Sequence, residues 1–491
     1  MIVLLITAAN IGYLGGPFQP AGSRLCGVPT FATIESVRKT LRLVILLALI
    51  PAAGALPALR AQSPAPAEKE FTLDNGLKVV LLERHSLPLV NIVAAVNAGS
   101  KDETDATNGI VHLLEHYILF RGTEVRSGSE VARDIRARGG YFNAHTGQDV
   151  ATFELTLPAE HADFGLRNQR EILFNLKFDQ TEIDAEKEVI LEEFSQLKDD
   201  PFRYASLLFY QNLFKGHPYG RPVIGTPDVI RNLTVEAVGT FYRTYFVPAN
   251  ASLAVVGDFV LKDMEDKIRA EFGPVPRTEF APRRFDPPAQ PRKAVEIEEE
   301  LDVKEAYLVL GTLGPDYNSE DQYGGDVLAQ ILGRGINPML YRPLKGPRDL
   351  VNTAGMMYVT LKHGGAFLAY LTLEPRTIQA TKRAAVQFLR QVRNENFSRD
   401  DVVGSEQMYA TDYLEGARNQ LTFEVAKAQE SGLTLASSLA IHLLFRTSDV
   451  PFDYLGRIRR VSSSDLRTVA ARYLGRSEYV TIAIVPKKKI P

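Results

Sequence analysis

The sequence reads as an α+β chain made of two copies of one fold, and three observations predict this. Runs of strand character alternate along the chain with runs of helical period. Each half closes on the same pair of elements, a helix ending in aromatic residues and then an apolar strand. These are Leu233–Phe246 with Ala251–Gly257, and Val461–Leu474 with Val480–Val485. Between the halves, residues 274–294 are rich in Pro and charge, the composition of a linker. The expected organisation is therefore an N-terminal extension, signal peptide and linker over 1–67, one domain over 68–277, a linker over 278–296 and a homologous domain over 297–491.

Residues 37–67 carry a basic start, a short apolar run and small residues at Ala53-Gly54-Ala55 or near Ala61, the order of a secretory signal peptide. Export is expected, to a bacterial periplasm, with an uncleaved N-terminal anchor facing the periplasm as the alternative. Pro51 breaks the apolar run, so no stable membrane span is expected in the mature chain. The first 36 residues precede the basic region and read as an over-extended start. The single cysteine, Cys26, lies in this segment, so the mature protein is expected to hold neither disulfide nor reactive thiol.

After the Ser/Pro/Ala stretch at 62–67, Asp74-Asn75-Gly76 is a turn signal flanked by β-rich runs, which predicts a hairpin. Leu77–Leu82 and Leu89–Ala98 read as strands. The next stretch, Thr107–Gly122, reads as a helix capped by Asn108 and ended by Gly122. On it His112 and His116 lie one turn apart with Glu115 beside them, so three polar groups project from one face among Leu, Ile and Phe. Two imidazoles at this spacing can both reach a zinc ion, and the adjacent carboxylate can take a proton from the water that zinc acidifies. The pattern is the inverse of the H-E-x-x-H zinc-protease motif. The alternative is a buried, hydrogen-bonded histidine pair. A helix near Ser129–Arg138, the segment Gly139–Thr146 and a strand over Ala151–Leu157 follow.

Residues 182–198 form an acidic helix stopped by Asp199-Asp200-Pro201. At about 100° per residue, Glu186, Ile190, Glu193 and Leu197 share one stripe, while Glu188 and Glu192 face the other side. A carboxylate on an apolar stripe is costly unless something pairs with it. Glu193 is therefore expected as the third zinc ligand, and Glu186 as a supporting acid. A merely amphipathic helix with salt-bridged acids is the competing reading.

With 491 residues and a net charge of −3, and with Lys and Arg scattered, the sequence gives no electrostatic case for nucleic acid. Matching Arg121-Gly122 to Arg334-Gly335 puts Gly325, Leu328 and Ala329 where the first half has His112, Glu115 and His116. The second copy is thus expected to lack metal chemistry. His85, His161, His217, His363 and His442 lack partners at metal spacing.

These motifs resemble the pitrilysin and insulinase group of zinc peptidases, particularly the short two-domain bacterial forms related to mitochondrial processing peptidase. His112–His116 is similar to the family's inverted zinc motif, and Glu186–Glu193 to its downstream segment, whose last Glu binds the metal. Asn143-Ala144-x-Thr146 and His217–Thr226 also look like family segments. The resemblance spans about residues 68–490. It implies mixed sheets, each with helices packed on one face, and four such domains closing like a clamshell on a peptide that pairs with a sheet edge. It implies one Zn2+ per chain on His112, His116 and Glu193, with Glu115 as general base and Glu186 in support. Asn143 and Ala144 would line the substrate strand, with His145 nearby but not a ligand. Arg348 would contact substrate, but Asn352 stands where the family has Tyr. The implied function is a zinc-dependent endopeptidase. This chain would be the metal-bearing subunit of a homodimer, or of a heterodimer whose related partner carries the Arg and Tyr pair. The alternatives are a non-catalytic peptide-binding or assembly subunit, and an envelope scaffold with an incidental metal.

Overall fold

The computed structural model describes residues 67–334, 338–346, 348–398, 412–446 and 453–487. The signal-like segment before residue 67, Cys26 and Gly335 lie outside them. No helix among the described residues is long and apolar enough to cross a membrane.

In the first half the strands are β1 (Glu68–Thr72), β2 (Lys78–Glu83), β3 (Leu89–Val96), β4 (Tyr141–Thr146), β5 (Ala151–Pro158) and β6 (Ala251–Gly257). Its principal helices are α1 (Ile110–Phe120), α2 (Gly128–Ala137), α3 (Ala162–Phe174), α4 (Gln180–Gln196), α5 (Pro201–Leu213), α6 (Val235–Tyr245) and α7 (Leu261–Phe272). The second half contains β7 (Val295–Leu301), β8 (Ala306–Gly314), β9 (Thr353–Leu361), β10 (Gly364–Leu373) and β11 (Val480–Pro486). With them are α8 (Asp321–Gly333), α9 (Ile378–Gln391), α10 (Tyr413–Glu430), α11 (Gly432–Phe445) and α12 (Ser463–Val469). The stretch between α7 and β7 has no regular structure, and the linker expected over 278–296 falls in it except for its last two residues, Val295 and Glu296, which begin β7.

The sheets show the duplication directly. The first runs β1-β2-β6-β3-β5-β4 and the second β7-β11-β8-β10-β9. With β1 set aside, the two orders are the same, including one parallel pair in each, β2 with β6 and β7 with β11. The Asp74–Gly76 turn closes the predicted hairpin between β1 and β2, with Gly76 at φ 94°. On its other side β2 pairs with β6, so β3 is not its neighbour.

The inner strands of each sheet are apolar on both faces, as strands covered on both sides must be. One face packs against helices of its own half. The opposite face is covered by a helix from the other half. Ala205, Phe209 and Leu213 of α5 pack with Val309, Leu368, Ile482 and Ile484 of the second sheet. In exchange, Ala436, Ala440 and Ile441 of α11 pack with Val80, Val93, Ala254 and Val256 of the first. Polar contacts fix the register of this exchange: Ser252 Oγ donates to Ala440 O at 2.7 Å, and Ser437 Oγ to Glu154 Oε1 at 2.7 Å. Asp149 joins the halves, accepting from Tyr219 Oη at 2.7 Å and from Lys362 N at 2.8 Å.

His442 of α11 is buried against the first sheet, with Tyr317 Oη 2.8 Å from its Nδ1. Burial, and then the nearby Arg446, pull its imidazole down to about 4. The folded chain therefore holds His442 neutral while the unfolded chain protonates it near the ordinary value. Its contribution to stability is complete above about pH 6.5 and is lost as pH falls towards 4, a change of about 2–3 kcal/mol. Urea denaturation between pH 7 and pH 4 is expected to show this loss, and His442→Gln to remove that part of the slope.

Candidate metal centre

α1 begins from an unusual cap. Gly109 sits at φ 95° and is pressed against Gly225, so a Cβ there would come 2.8 Å from Gly225 Cα. Asn108 is consequently not the cap; its Nδ2 donates to Pro222 O at 2.9 Å and to Glu103 Oε2 at 2.7 Å. Glu103 does the capping from outside the helix. Its Oε2 accepts from Gly109 N at 2.8 Å and its Oε1 from Val111 N at 3.0 Å, satisfying two orphan donors at the positive end of the helix dipole. Burial pushes this carboxyl up to about 8, against those N–H groups, which favour the charged form. α1 ends at Phe120, with Arg121 rather than Gly122 as its C-cap.

Ile110, Val111, Leu113, Leu114, Tyr117 and Ile118 bury the inner side of α1, and His112, Glu115 and His116 are left on a half-covered face. α4 lies across this face. Asp179 caps it through Thr181 N and Glu182 N. Tyr117 Oη sets the relative position of the two helices, lying 2.7 Å from Glu182 Oε2 and 2.8 Å from Lys177 O, with one proton to give to either, and accepting from Asp179 N at 3.1 Å. One turn further along α4 comes Glu186, and two turns beyond that Glu193. Glu188 and Glu192 face solvent.

Glu193 Oε2 is 3.7 Å from His112 Nε2 and 3.7 Å from His116 Nε2. Among the described residues, these three side chains are the one group of His, Cys, Asp and Glu whose ligand atoms gather as a metal requires, all within 4.8 Å. Tetrahedral zinc, with ligand bonds of about 2.0–2.2 Å, sets its donors about 3.4 Å apart, so the spacing fits. The donor set, two neutral-capable imidazoles and one carboxylate, is the kind zinc takes, while His112 Nδ1 and His116 Nδ1, the ring nitrogens not facing Glu193, are buried without an aligned hydrogen bond. Glu186 Oε2 stands 3.4 Å from His116 Nδ1, an ion contact rather than an aligned hydrogen bond, and Arg121 Nη2 holds the other oxygen at 2.6 Å.

The charges agree with the geometry. Burial pulls the His116 imidazole down, but Glu186 and Glu193 outweigh it and raise it to about 9. His116 in turn holds Glu193 down to about 2, against burial and with help from His112 and Arg203. Burial also works against Glu186, yet His116 and Arg121 keep it below the usual carboxylate range. Burial lowers His112. A positive charge is thus favoured where the three side chains meet. Glu115 is half-buried, and its charge bears on His112, His116 and His145.

The other expected site residues are less uniform. β4 packs against α1 and is an outer strand of its sheet. Asn143 is half-buried, with its Nδ2 3.4 Å from His145 Nε2. The Ala144 methyl points into the core, so only its backbone is available at the edge. His145 is 3.7 Å from Glu154. Arg348 stands exposed before β9, and none of the ion pairs or hydrogen bonds of the His–His–Glu group involves it. Asn352 Nδ2 donates to Glu305 Oε2 at 2.8 Å. Three groups that hold the site escaped the sequence reading: Glu103, Arg121, and Arg203, whose Nη2 donates to Glu193 Oε1 at 2.9 Å. No spacing rule connects any of them to the histidines. The family-like segment His217–Thr226 acts at a distance, because its Pro222 and Gly225 seat the start of α1.

Glu186→Gln leaves the three converging atoms in place but removes the charge behind His116. It is expected to weaken zinc binding about 10–100-fold, measured by competition with a chelator.

Known proteins share this fold and sequence pattern. Residues 78–227 match the model of the insulinase family, peptidase family M16, and residues 232–406 match the model described as the peptidase M16 inactive domain. An uncharacterized zinc protease of Streptomyces coelicolor is 26% identical over 425 residues, covering 84% of this chain and 89% of that protein. The zinc protease PqqE of Helicobacter pylori is 24% identical over 440 residues, covering 87% and 95%. The crystal structure of a protease from Helicobacter pylori superposes with a TM-score of 0.77 at 23% identity, covering 86% of this chain and all of that one. A structure titled as a peptidase M16 inactive domain, from Pseudomonas fluorescens, gives 0.76 at 19% identity, covering 86% and 98%. The fold, the repeated sheet order and both family matches together make this chain a member of the insulinase family of peptidases, M16, in its short two-domain form.

Proposed function

We propose that the chain is a zinc-dependent endopeptidase acting on peptides or unfolded segments, exported through its signal-like segment, and the metal-bearing subunit of a dimer. The observation that carries this reading is the approach of two imidazole nitrogens to one carboxylate oxygen, on a half-open face beside an outer strand. A zinc ion held by His112, His116 and Glu193 would acidify a water and polarise the scissile carbonyl. Glu115 takes the proton from the attacking water and returns it to the leaving amine, as base and then as acid. Glu186 and Arg121 keep the His116 ring in place.

The two edges of the first sheet differ. β1 carries Glu68, Lys69 and Glu70, charges that oppose pairing with another strand. β4 has no acidic residue, Lys or Arg along Tyr-Phe-Asn-Ala-His-Thr, and it borders α1. A peptide added to β4 as an extra strand would run past the metal, held by backbone hydrogen bonds.

Glu115→Gln is expected to keep its zinc and to lose 10²–10⁴-fold or more in peptide hydrolysis, read with a quenched fluorogenic peptide against zinc content. Unchanged function in that variant would favour the non-catalytic alternative. The partner is supported by the departure at Asn352, which is engaged with Glu305. Gel filtration and peptidase assays are expected to give a dimer, with low activity for any separated single chain; full activity from a monomer would remove the partner from the proposal.

A further inference from the structure

Glu193 has two carboxylate oxygens and only one faces the histidines. Oε2 lies 3.7 Å from both Nε2 atoms, while Oε1 accepts from Arg203 Nη2 at 2.9 Å. Resting on the metal reading above, we propose that Arg203 is a positioning residue that holds Glu193 to a single ligand oxygen, and that the metal-free half of the chain holds Arg203.

A carboxylate with both oxygens free can bind a metal through both, raising its coordination number and closing the position that water needs. With Oε1 occupied by the guanidinium, Glu193 has one oxygen to offer. Arg203 lies in the first turn of α5, where Asp200 Oδ1 accepts from Phe202 N and from Arg203 N, each at 3.0 Å. From that turn α5 runs over the second sheet. The Phe202 ring meets the edges of Tyr307 and Tyr370, at 5.0 and 5.9 Å between centroids, and Ala205 and Phe209 are fully buried in the cluster on that sheet. The helix that presents the arginine is therefore fixed by β8, β10 and β11. A half without ligands of its own sets the orientation of one ligand in the other.

Arg203 is partly exposed, and an ion pair of this kind contributes little to global stability, so melting temperature does not read the proposal. Metal binding does. Zinc affinity and the visible spectrum after cobalt(II) loading are compared in the full chain for wild type, Arg203→Ala, Arg203→Lys, Phe202→Ala and Glu193→Gln. Arg203→Ala is expected to melt as wild type does when metal-free, to bind zinc about tenfold more weakly or worse, and to lose the strong absorption of four-coordinate cobalt as the released oxygen joins the metal. Arg203→Lys, which still offers one donor to Oε1, is expected to recover most of both. Phe202→Ala touches no ligand and is expected to weaken zinc binding by a smaller factor. Wild-type affinity and spectrum in Arg203→Ala, or a lysine no better than alanine, would overturn the role of Arg203; wild-type affinity in Phe202→Ala would overturn that of the second half. Zinc binding in Glu193→Gln as tight as in wild type would instead defeat the metal reading on which the proposal rests.

Discussion

Two sheets with apolar residues on both faces must each be covered twice, and one chain does this by exchanging helices. α5 leaves the first half to lie on the second sheet, and α11 returns to lie on the first. Neither half can retain its packing alone, because removing either would strip a sheet face of its cover. At about 25 cal/mol per Å² of apolar surface, a bared sheet face is a large loss beside the 5–15 kcal/mol that usually holds a domain together. The repeated sheet orders describe two copies, while the exchanged helices tie those copies into one body.

This exchange explains the location of the site. The acidic helix α4 and the exchanged helix α5 are consecutive, joined at Leu197–Asp200, so the ligand-bearing end of one is the starting point of the other. On the opposite side, α1 is fixed at its start by Glu103 and Gly225 and near its end by Tyr117 against Glu182. Two helices bonded to each other through Tyr117 and Glu182, and each also pinned to its own surroundings, leave little freedom in the distance between their facing side chains. A metal site needs such stiffness, since its ligands must hold geometry without relying on the ion to assemble them.

The parts legible in the sequence were those governed by period and by repetition. Helical period alone separates Glu193, which faces the histidines, from its neighbour Glu192, which faces water. The closing helix and strand of each half disclosed the duplication because they recur with similar residues. Nothing in local sequence encoded the helix exchange, since a helix on its own half's sheet or on the other's carries the same apolar stripe. Glu103 was invisible for a related reason. It caps a helix from seven residues before its first turn, and it displaces Asn108, a residue with good capping propensity, because Gly109 takes a left-handed conformation that puts Asn108 out of register. Arg203 and Arg121 are ordinary surface-type residues until the fold brings a carboxylate to them.

The same comparison of halves explains why only one carries chemistry. With Arg121 matched to Arg334, α1 and α8 end at corresponding residues, Phe120 and Gly333. Three substitutions, Gly325, Leu328 and Ala329, remove the ligands and the base, but the packing has changed as well. A Cβ on Gly325 would come 2.9 Å from the Tyr358 ring, and one on Gly333 would come 2.1 Å from the Met356 backbone. α8 is pressed onto β9 and is buried along almost its whole length, whereas α1 keeps a half-open face beside β4. Histidines restored at 325 and 329 would have no cleft to occupy. The second half has exchanged an open face for close packing, and that packing also forms the sheet on which α5 rests.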